Sequence, residues 1–163
     1  MALRNIRLQG DPVLRKKAVS VARFNEQLHR LLDDMVETMI KAQGAGLAAP
    51  QIGISKKIIV LRDEDKILEI INPEITESEG ESIDIEGCLS FPGLYGEVPR
   101  SARVVVSGQD RGGREIRISG EGFLARVLQH EIDHLHGILF VDRALRFYTP
   151  EELQNIARKK DKG

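Results

Sequence analysis

The stretch His130-Glu131-Ile132-Asp133-His134, within residues 128–137, decides what lies at the centre of this fold. Two histidines four positions apart on a helix lie about 40° apart around the axis and roughly 6 Å apart along it. Both imidazoles can therefore reach one metal ion from a single face, and Glu131 lies beside them as a potential base. Such a centre makes a nucleophile from water near neutral pH. The stretch indicates a metal-dependent hydrolase.

The residues before this stretch predict that the helix is buried on one side. Apolar residues recur there at helical spacing, and His130 borders the stripe that they form. The stripe consists of Phe123, Leu124, Val127 and Leu128. Imidazoles at the edge of a buried stripe need polar partners, which a metal ion supplies. A solvated helix face without a metal is the alternative for an isolated match. We predict a helix over residues 122–136.

A hydrolytic metal site usually has three protein ligands and one open position, so a third ligand is needed. The metzincin pattern fails, because Phe140 stands where its last histidine would be. Asp142 is too close in sequence to swing back, and His136 projects about 200° around the helix from His134. Cys88 remains, the one cysteine of the chain, between glycine and proline residues typical of a tight loop. A small buried apolar role is the alternative for a lone cysteine.

Three segments, in this order, resemble those of the peptide deformylase family. They are Gly44-Ala-Gly-Leu-Ala-Ala-Pro-Gln51, Glu86-Gly-Cys-Leu-Ser90 and Gln129-His-Glu-Ile-Asp-His-Leu135. The resemblance also takes in residues 10–15 and covers most of residues 5–145. It implies an enzyme that removes the formyl group from the N-terminal formylmethionine of newly made proteins and releases formate.

The resemblance also implies the roles of individual residues. The metal ligands would be Cys88, His130 and His134, and Glu131 would be the catalytic acid and base. Gln51 and the backbone N–H of Leu89 would stabilise the oxyanion, and Gly46 would lie in the edge along which the peptide substrate runs. The cofactor would be one divalent ion, iron(II) in the cell, although zinc, nickel or cobalt also suits these ligands.

Two other functions stay open for the same ligands. A zinc endopeptidase could use the same cysteine and two histidines. A structural metal domain is the other, but such sites are normally closed by four protein ligands, and the sequence offers three.

The glycine-rich segment formally matches a dinucleotide-binding fingerprint in Gly44-x-Gly46-x-x-Ala49. That fingerprint needs a preceding strand and a following helix, whereas a long helix precedes this one and Pro50 follows it. We predict instead that Gly44 ends the helix in a left-handed conformation and that Gly46 lets a substrate backbone approach. Helical spacing places Phe123 and Val127 beside His130, which predicts a methionine-sized pocket.

Two charged residues flank the cysteine segment, Glu86 before it and Arg100 after it. We predict that they form an ion pair that braces this loop, because a buried carboxylate needs a partner. Two unrelated surface charges are the alternative. Asp133 faces away from His130 and is expected to make a structural contact outside the site.

Length and composition predict one catalytic domain over residues 1–163. Hydrophobic residues make up 41% of the chain, and a net charge of −1 offers no electrostatic basis for DNA binding. The single cysteine excludes an internal disulfide, and no apolar run reaches membrane-spanning length, so we expect a cytoplasmic protein with no membrane partner. The basic end, 158–163, is expected to be a frayed tail, with a weak ribosome contact as the alternative.

The order of the predicted elements indicates an α+β fold. Mainly antiparallel sheets are expected to pack around the central metal-binding helix, with a long N-terminal helix and a short C-terminal one. The predicted helices cover 11–18, about 25–43, 122–136 and 151–159. The predicted strands cover 58–61, 67–71, a region near 74–88, 103–106 and 115–118.

Overall fold

The computed structural model describes residues 2–162, and side chains within that range up to residue 159. These residues form eight strands, β1 Gly46–Ala48, β2 Ile58–Asp63, β3 Lys66–Glu79, β4 Ser82–Gly87, β5 Tyr95–Arg100, β6 Arg103–Gln109, β7 Glu115–Glu121 and β8 Arg146–Tyr148. The α-helices are α1 Glu26–Lys41, α2 Gly122–Leu135, α3 Phe140–Arg143 and α4 Pro150–Lys162, and short 3-10 helices cover Pro12–Arg15 and Ala49–Ile52.

The strands form two antiparallel sheets. The larger has the order β1-β2-β3-β6-β7, and the smaller has the order β4-β5-β8. Every neighbouring pair of these strands is antiparallel. The predicted α+β class with mainly antiparallel sheets is confirmed.

Strand β2 explains why the larger sheet is covered by a helix on each face. Successive side chains of a strand point to opposite faces. Ile59 and Leu61 belong to the apolar cluster that contains the buried side of α2. Ile58 and Val60 belong to the cluster that contains the buried side of α1. All four side chains are fully buried, which explains why this strand is a continuous apolar run in the sequence. Both helices therefore pack against the same sheet.

The smaller sheet has its own core, which supports the segment that follows β4. The core consists of Leu14, Phe91, Val98, Leu139 and Phe140. Phe91 and Phe140 meet edge to face, with ring centroids 5.4 Å apart. Phe91 is three positions after Cys88, and Phe140 also stacks on the His130 ring of α2 with centroids 6.1 Å apart, so this packing links the cysteine segment to α2.

Helix α1 forms as predicted, although its end differs. Asn25 caps it by accepting a hydrogen bond from the Leu28 N–H at 3.1 Å. Gln43, with φ 59°, takes the left-handed conformation that was predicted for Gly44. At Gly44 the close neighbour is a side chain: a Cβ there would lie 2.7 Å from the Leu89 Cδ1, which would have to shift.

The first predicted helix is shorter than expected. Asp11 caps it, accepting from the Val13 N–H at 3.0 Å, but the turn ends at Arg15 because Lys16 is already extended. Ala18, predicted to lie in this helix, instead donates its N–H to the Leu135 carbonyl at 2.8 Å. The N-terminal segment is thereby bonded to the end of α2.

The C-terminal helix is longer than expected. Thr149 caps it, accepting from the Glu152 N–H at 3.2 Å, while the Glu152 carboxylate accepts from the Thr149 N–H at 3.3 Å. No proline or glycine interrupts residues 151–162, so the helix runs to Lys162 through most of the predicted frayed tail. Gly163 lies outside the described residues, and fraying of this end in solution stays a prediction.

Strands β5 and β8 and the short helix α3 were not predicted. In β5, the inward positions are held by Gly96, Val98 and Arg100, so no apolar alternation marks the strand, and Pro99 argues against it. Among residues 2–162, none of the helices is both long enough and apolar enough to cross a bilayer.

Candidate metal centre and active site

Cys88, His130 and His134 come together between the two sheets. One ligand atom from each lies within 4.8 Å of those from the others, and the Cys88 Sγ is 3.5 Å from the His134 Nε2. One thiolate and two imidazoles suit divalent iron, zinc, nickel or cobalt. Within the described residues, the buried Glu131 Oε1 has no hydrogen-bond partner, as expected of a polar atom beside a ligand site. The residues present therefore fit a metal ion.

Helix α2 presents the two histidines from within the core. Leu128, Ile132 and Leu135 on the same helix are buried against the larger sheet and fix its rotation. His130 and His134 are also buried, and their ring centroids are 5.1 Å apart. Burial lowers the pKa of His134 well below its ordinary value, so its imidazole is neutral, the form that binds a metal.

Polar contacts hold the cysteine segment from the other side. Cys88 begins a turn in which its carbonyl accepts from the Phe91 N–H at 2.9 Å. The Gln51 amide nitrogen donates to the Ser90 hydroxyl at 3.1 Å and lies 3.5 Å from the Cys88 sulfur. The Gln51 carbonyl oxygen accepts from the Ala48 N–H at 2.9 Å. Gln51 is therefore fixed with its donor group directed at the metal centre.

Glu131 lines the cleft and is buried, with 4% of its surface exposed. Burial raises the pKa of its carboxyl to about 7. A Cβ added to Gly46 would lie 2.6 Å from the Glu131 Oε2. The missing side chain of Gly46 therefore makes room for this glutamate, whereas the sequence suggested room for a substrate backbone.

A cleft of about 500 Å³ opens beside these groups. It is lined by eight of the nine predicted site residues: Gly46, Gln51, Cys88, Leu89, Phe123, Val127, His130 and Glu131. His134 lies deeper, 1% exposed. Val127 forms a buried part of the wall, whereas Phe123 is 67% exposed and stands at the mouth. Leu124 packs in the core instead.

Behind His130, Glu86 is held by several cationic groups. The predicted ion pair is confirmed: the Arg100 Nε and Nη2 each donate to Glu86 at 2.9 Å. The His130 Nδ1 is 2.8 Å from the Glu86 Oε1, and the Arg126 Nη1 donates to the Glu86 Oε2 at 2.6 Å. Burial alone would raise the pKa of the Glu86 carboxyl, but the bonds from Arg100 and His130 hold it well below its ordinary value.

Asp133 makes the structural contact that was expected of it. It accepts from the Arg100 Nη1 and from the Arg143 Nε, each at 2.6 Å. Sequence reasoning missed Arg126 and Ser90. A charged residue inside an apolar stripe, one helical turn before His130, was the signal that could have found Arg126.

Comparison with known proteins places the chain in a family. The sequence profile described as Polypeptide deformylase matches residues 3–148. A peptide deformylase from Caldicellulosiruptor bescii is 51% identical over 162 residues, which are 99% of this chain and 98% of that relative.

Solved structures agree with this assignment. The crystal structure of a peptide deformylase from Legionella pneumophila is 46% identical, with a TM-score of 0.85 over 99% of this chain and 95% of that one. A peptide deformylase from Thermotoga maritima is 44% identical, with a TM-score of 0.88 over 90% of this chain and 100% of that one. The chain belongs to the polypeptide deformylase family and is a metallohydrolase that removes the N-formyl group from newly made peptides.

Proposed function

We propose that deformylation takes place in the cleft, at one divalent ion held by Cys88, His130 and His134. The observation that carries this proposal is the convergence of three donor atoms within 4.8 Å. A bound divalent ion supplies Lewis acidity, which activates water and polarises the formyl oxygen. We propose iron(II) as the ion in the cell, in the cytoplasm where formylated chains are made.

Glu131 handles the proton in this scheme. Its carboxylate takes a proton from the attacking water and delivers it to the departing amine nitrogen. A general base is most effective when its pKa lies near the working pH, and the pKa of about 7 for Glu131 supports this role.

Gln51 and the backbone N–H of Leu89 stabilise the negative charge that develops on the formyl oxygen. The position of the Gln51 amide nitrogen, 3.5 Å from the Cys88 sulfur, supports this assignment. Loss of one such donor costs roughly 10²–10³ in kcat. We therefore expect Gln51→Ala to lower kcat by about that factor and to leave the metal content unchanged. A variant with wild-type kcat would contradict the role.

The substrate peptide lies along β1, with its methionine side chain between Phe123 and Val127. Strand β1 is at the edge of the larger sheet, and an exposed edge accepts a peptide by strand addition. Gly46, at the start of β1, lines the cleft and so stands where such a peptide would enter.

The test is formate release from a formylmethionyl peptide by anaerobically purified protein, with elemental analysis of the same sample. We expect formate production with one ion bound per chain, and no comparable cleavage of casein. Casein cleavage without formate release would indicate an endopeptidase and would overturn the proposal.

We further propose that α4 makes a weak electrostatic contact with the ribosome. Arg158 and Lys159 are exposed at the end of this helix, which supports the idea. Deletion of the residues after Ala157 should weaken ribosome co-sedimentation and make it less sensitive to salt. Unchanged co-sedimentation would leave α4 as a structural element.

A further inference from the structure

Arg126 is a buried cation on the same helix as the two histidines, one turn before His130. It is 6% exposed, so its charge depends on partners supplied by the protein. Its Nη1 donates to the Glu86 Oε2 at 2.6 Å and to the Val98 carbonyl at 2.8 Å, and its Nη2 donates to the Ser82 carbonyl at 2.8 Å.

These bonds connect two parts of the molecule, and they add to the Glu86–His130 and Arg100–Asp133 contacts that also cross between them. Ser82 and Glu86 belong to β4, and Val98 belongs to β5, whereas Arg126 belongs to α2. The strand pair β4-β5 is part of the smaller sheet, and α2 packs against the larger one. A single guanidinium therefore bonds both strands of the pair to the helix.

The two linked parts each carry metal ligands. Cys88 follows Glu86 by two positions, and His130 follows Arg126 by four positions, which is about one turn of helix. The distance between the thiol and the imidazoles depends on how β4 sits against α2. Glu86 adds a second constraint, because its Oε1 lies 2.8 Å from the His130 Nδ1.

Arg100 makes a second link of a different kind. Its side chain joins Glu86 on β4 to Asp133 on α2, whereas the side-chain bonds to the Ser82 and Val98 carbonyls come from Arg126. Without Arg126, the Ser82 and Val98 carbonyls lose a donor on α2, and Glu86 loses one of its cationic partners.

We propose that Arg126 is a positioning residue that sets the spacing between Cys88 and the two histidines, and so tunes how tightly and in what geometry the metal is held. This inference rests on the proposed function of the same site. Arg126 itself contacts neither substrate nor metal in this role. It acts through the strand pair that carries the thiolate and through the carboxylate that orients His130.

The test compares Arg126→Met and Arg126→Lys with the wild type, each loaded with cobalt(II). Methionine preserves much of the apolar stem, which matters because Arg126 also lines the cleft. We expect Arg126→Met to lose cobalt to a chelator about tenfold faster, as is typical when groups that orient metal ligands are changed. Its visible absorption bands should shift, because they report the ligand geometry. Its kcat should fall while KM stays within about twofold.

Arg126→Lys keeps the charge but has a single donor group, so it should restore part of the wild-type retention of cobalt. Arg111→Met is the matched control, because Arg111 also holds two acidic side chains, Glu69 and Asp33, but does not line the cleft. We expect this control to melt at a lower temperature, with unchanged cobalt spectrum and chelation rate.

The outcomes separate the two proposals. A wild-type protein that releases formate, together with an Arg126→Met variant that matches Arg111→Met in spectrum and chelation rate, would overturn only the role of Arg126. A wild-type protein that binds no ion or releases no formate would overturn the proposed function itself. If Arg126→Met fails to fold, Arg126→Lys decides, and a wild-type spectrum and chelation rate in that variant would also count against the proposal.

Discussion

Two buried glutamates stand next to the histidine pair, and their surroundings differ in kind. Glu86 is 6% exposed and Glu131 is 4% exposed, so burial does not distinguish them. Glu86 is bonded to Arg100, Arg126 and His130, and its pKa lies well below the ordinary value. Glu131 has one oxygen without a partner in the described chain, and burial raises its pKa to about 7.

The difference suits the two glutamates to different tasks. A carboxylate surrounded by cations stays ionised and acts as a fixed support. A buried carboxyl group without a bonded cation can gain or lose a proton near neutral pH, as a general base must. Glu86 should therefore matter most for metal binding, and Glu131 most for turnover.

The largest expected effect comes from Glu131→Gln. The amide cannot take up a proton from water, so we expect kcat to fall by about 10²–10⁴-fold. Metal content should be unchanged by elemental analysis, because Glu131 is not a ligand. Glu26→Gln is a matched control at a side chain that is 84% exposed. If the kcat of Glu131→Gln equalled that of this control, Glu131 would have no special role in turnover and the proposed difference from Glu86 would be wrong.

Glu86→Gln should have a smaller effect on a different quantity. Removing one member of a buried ion pair leaves the other charge uncompensated, at a cost of about 3–5 kcal/mol in stability. Because Glu86 also orients His130, we expect metal affinity to fall by about 10–100-fold in chelator competition. Wild-type affinity in a folded variant would show that Glu86 has no part in orienting the ligand.

The smallest expected effect is on how the free energy of unfolding of the metal-free protein depends on pH. Glu131 and Glu86 should contribute to this dependence with opposite signs. Glu131 has a pKa raised from an ordinary value of 4.5 to about 7. Its contribution to stability is therefore present below pH 4.5 and is lost as the pH rises through about 7. Metal-free Glu131→Gln should gain stability relative to the wild type as the pH rises from about 4.5 to about 7, and the difference should then level off.

Glu86 should behave in the opposite way. Its pKa is lowered from 4.5, so its contribution is present above that pH and is lost as the pH falls below it. The advantage of the wild type over Glu86→Gln should therefore shrink on acidification. If the stability differences of both variants from the wild type changed in the same direction with pH, the contrast between the two environments would be wrong.

Helix α2 could be predicted from the sequence because the pattern that specifies it lies within one short segment. The spacing of His130 and His134, and of the apolar residues around them, needs only the geometry of one helix. Cys88 could be reached by elimination, since few other side chains have the chemistry of a ligand. The pair of Glu86 and Arg100 followed from the cost of burying an unpaired charge.

The contacts that the sequence did not reveal are those between distant segments. Arg126 meets Glu86 across 40 positions, and nothing near either residue specifies the other. Strand β5 escaped prediction because its inward face carries a glycine and an arginine in place of an apolar run. The reason for Gly46 also required the fold, because the space above it is filled by a side chain 85 positions away.

Gly46 carries no functional group, yet the site has no free space for a larger side chain at this position. Even the single methyl of alanine would have to displace the carboxylate or push the edge strand away from the helix. The shape of a neighbouring side chain therefore sets the requirement at this position, although Gly46 takes no part in the chemistry.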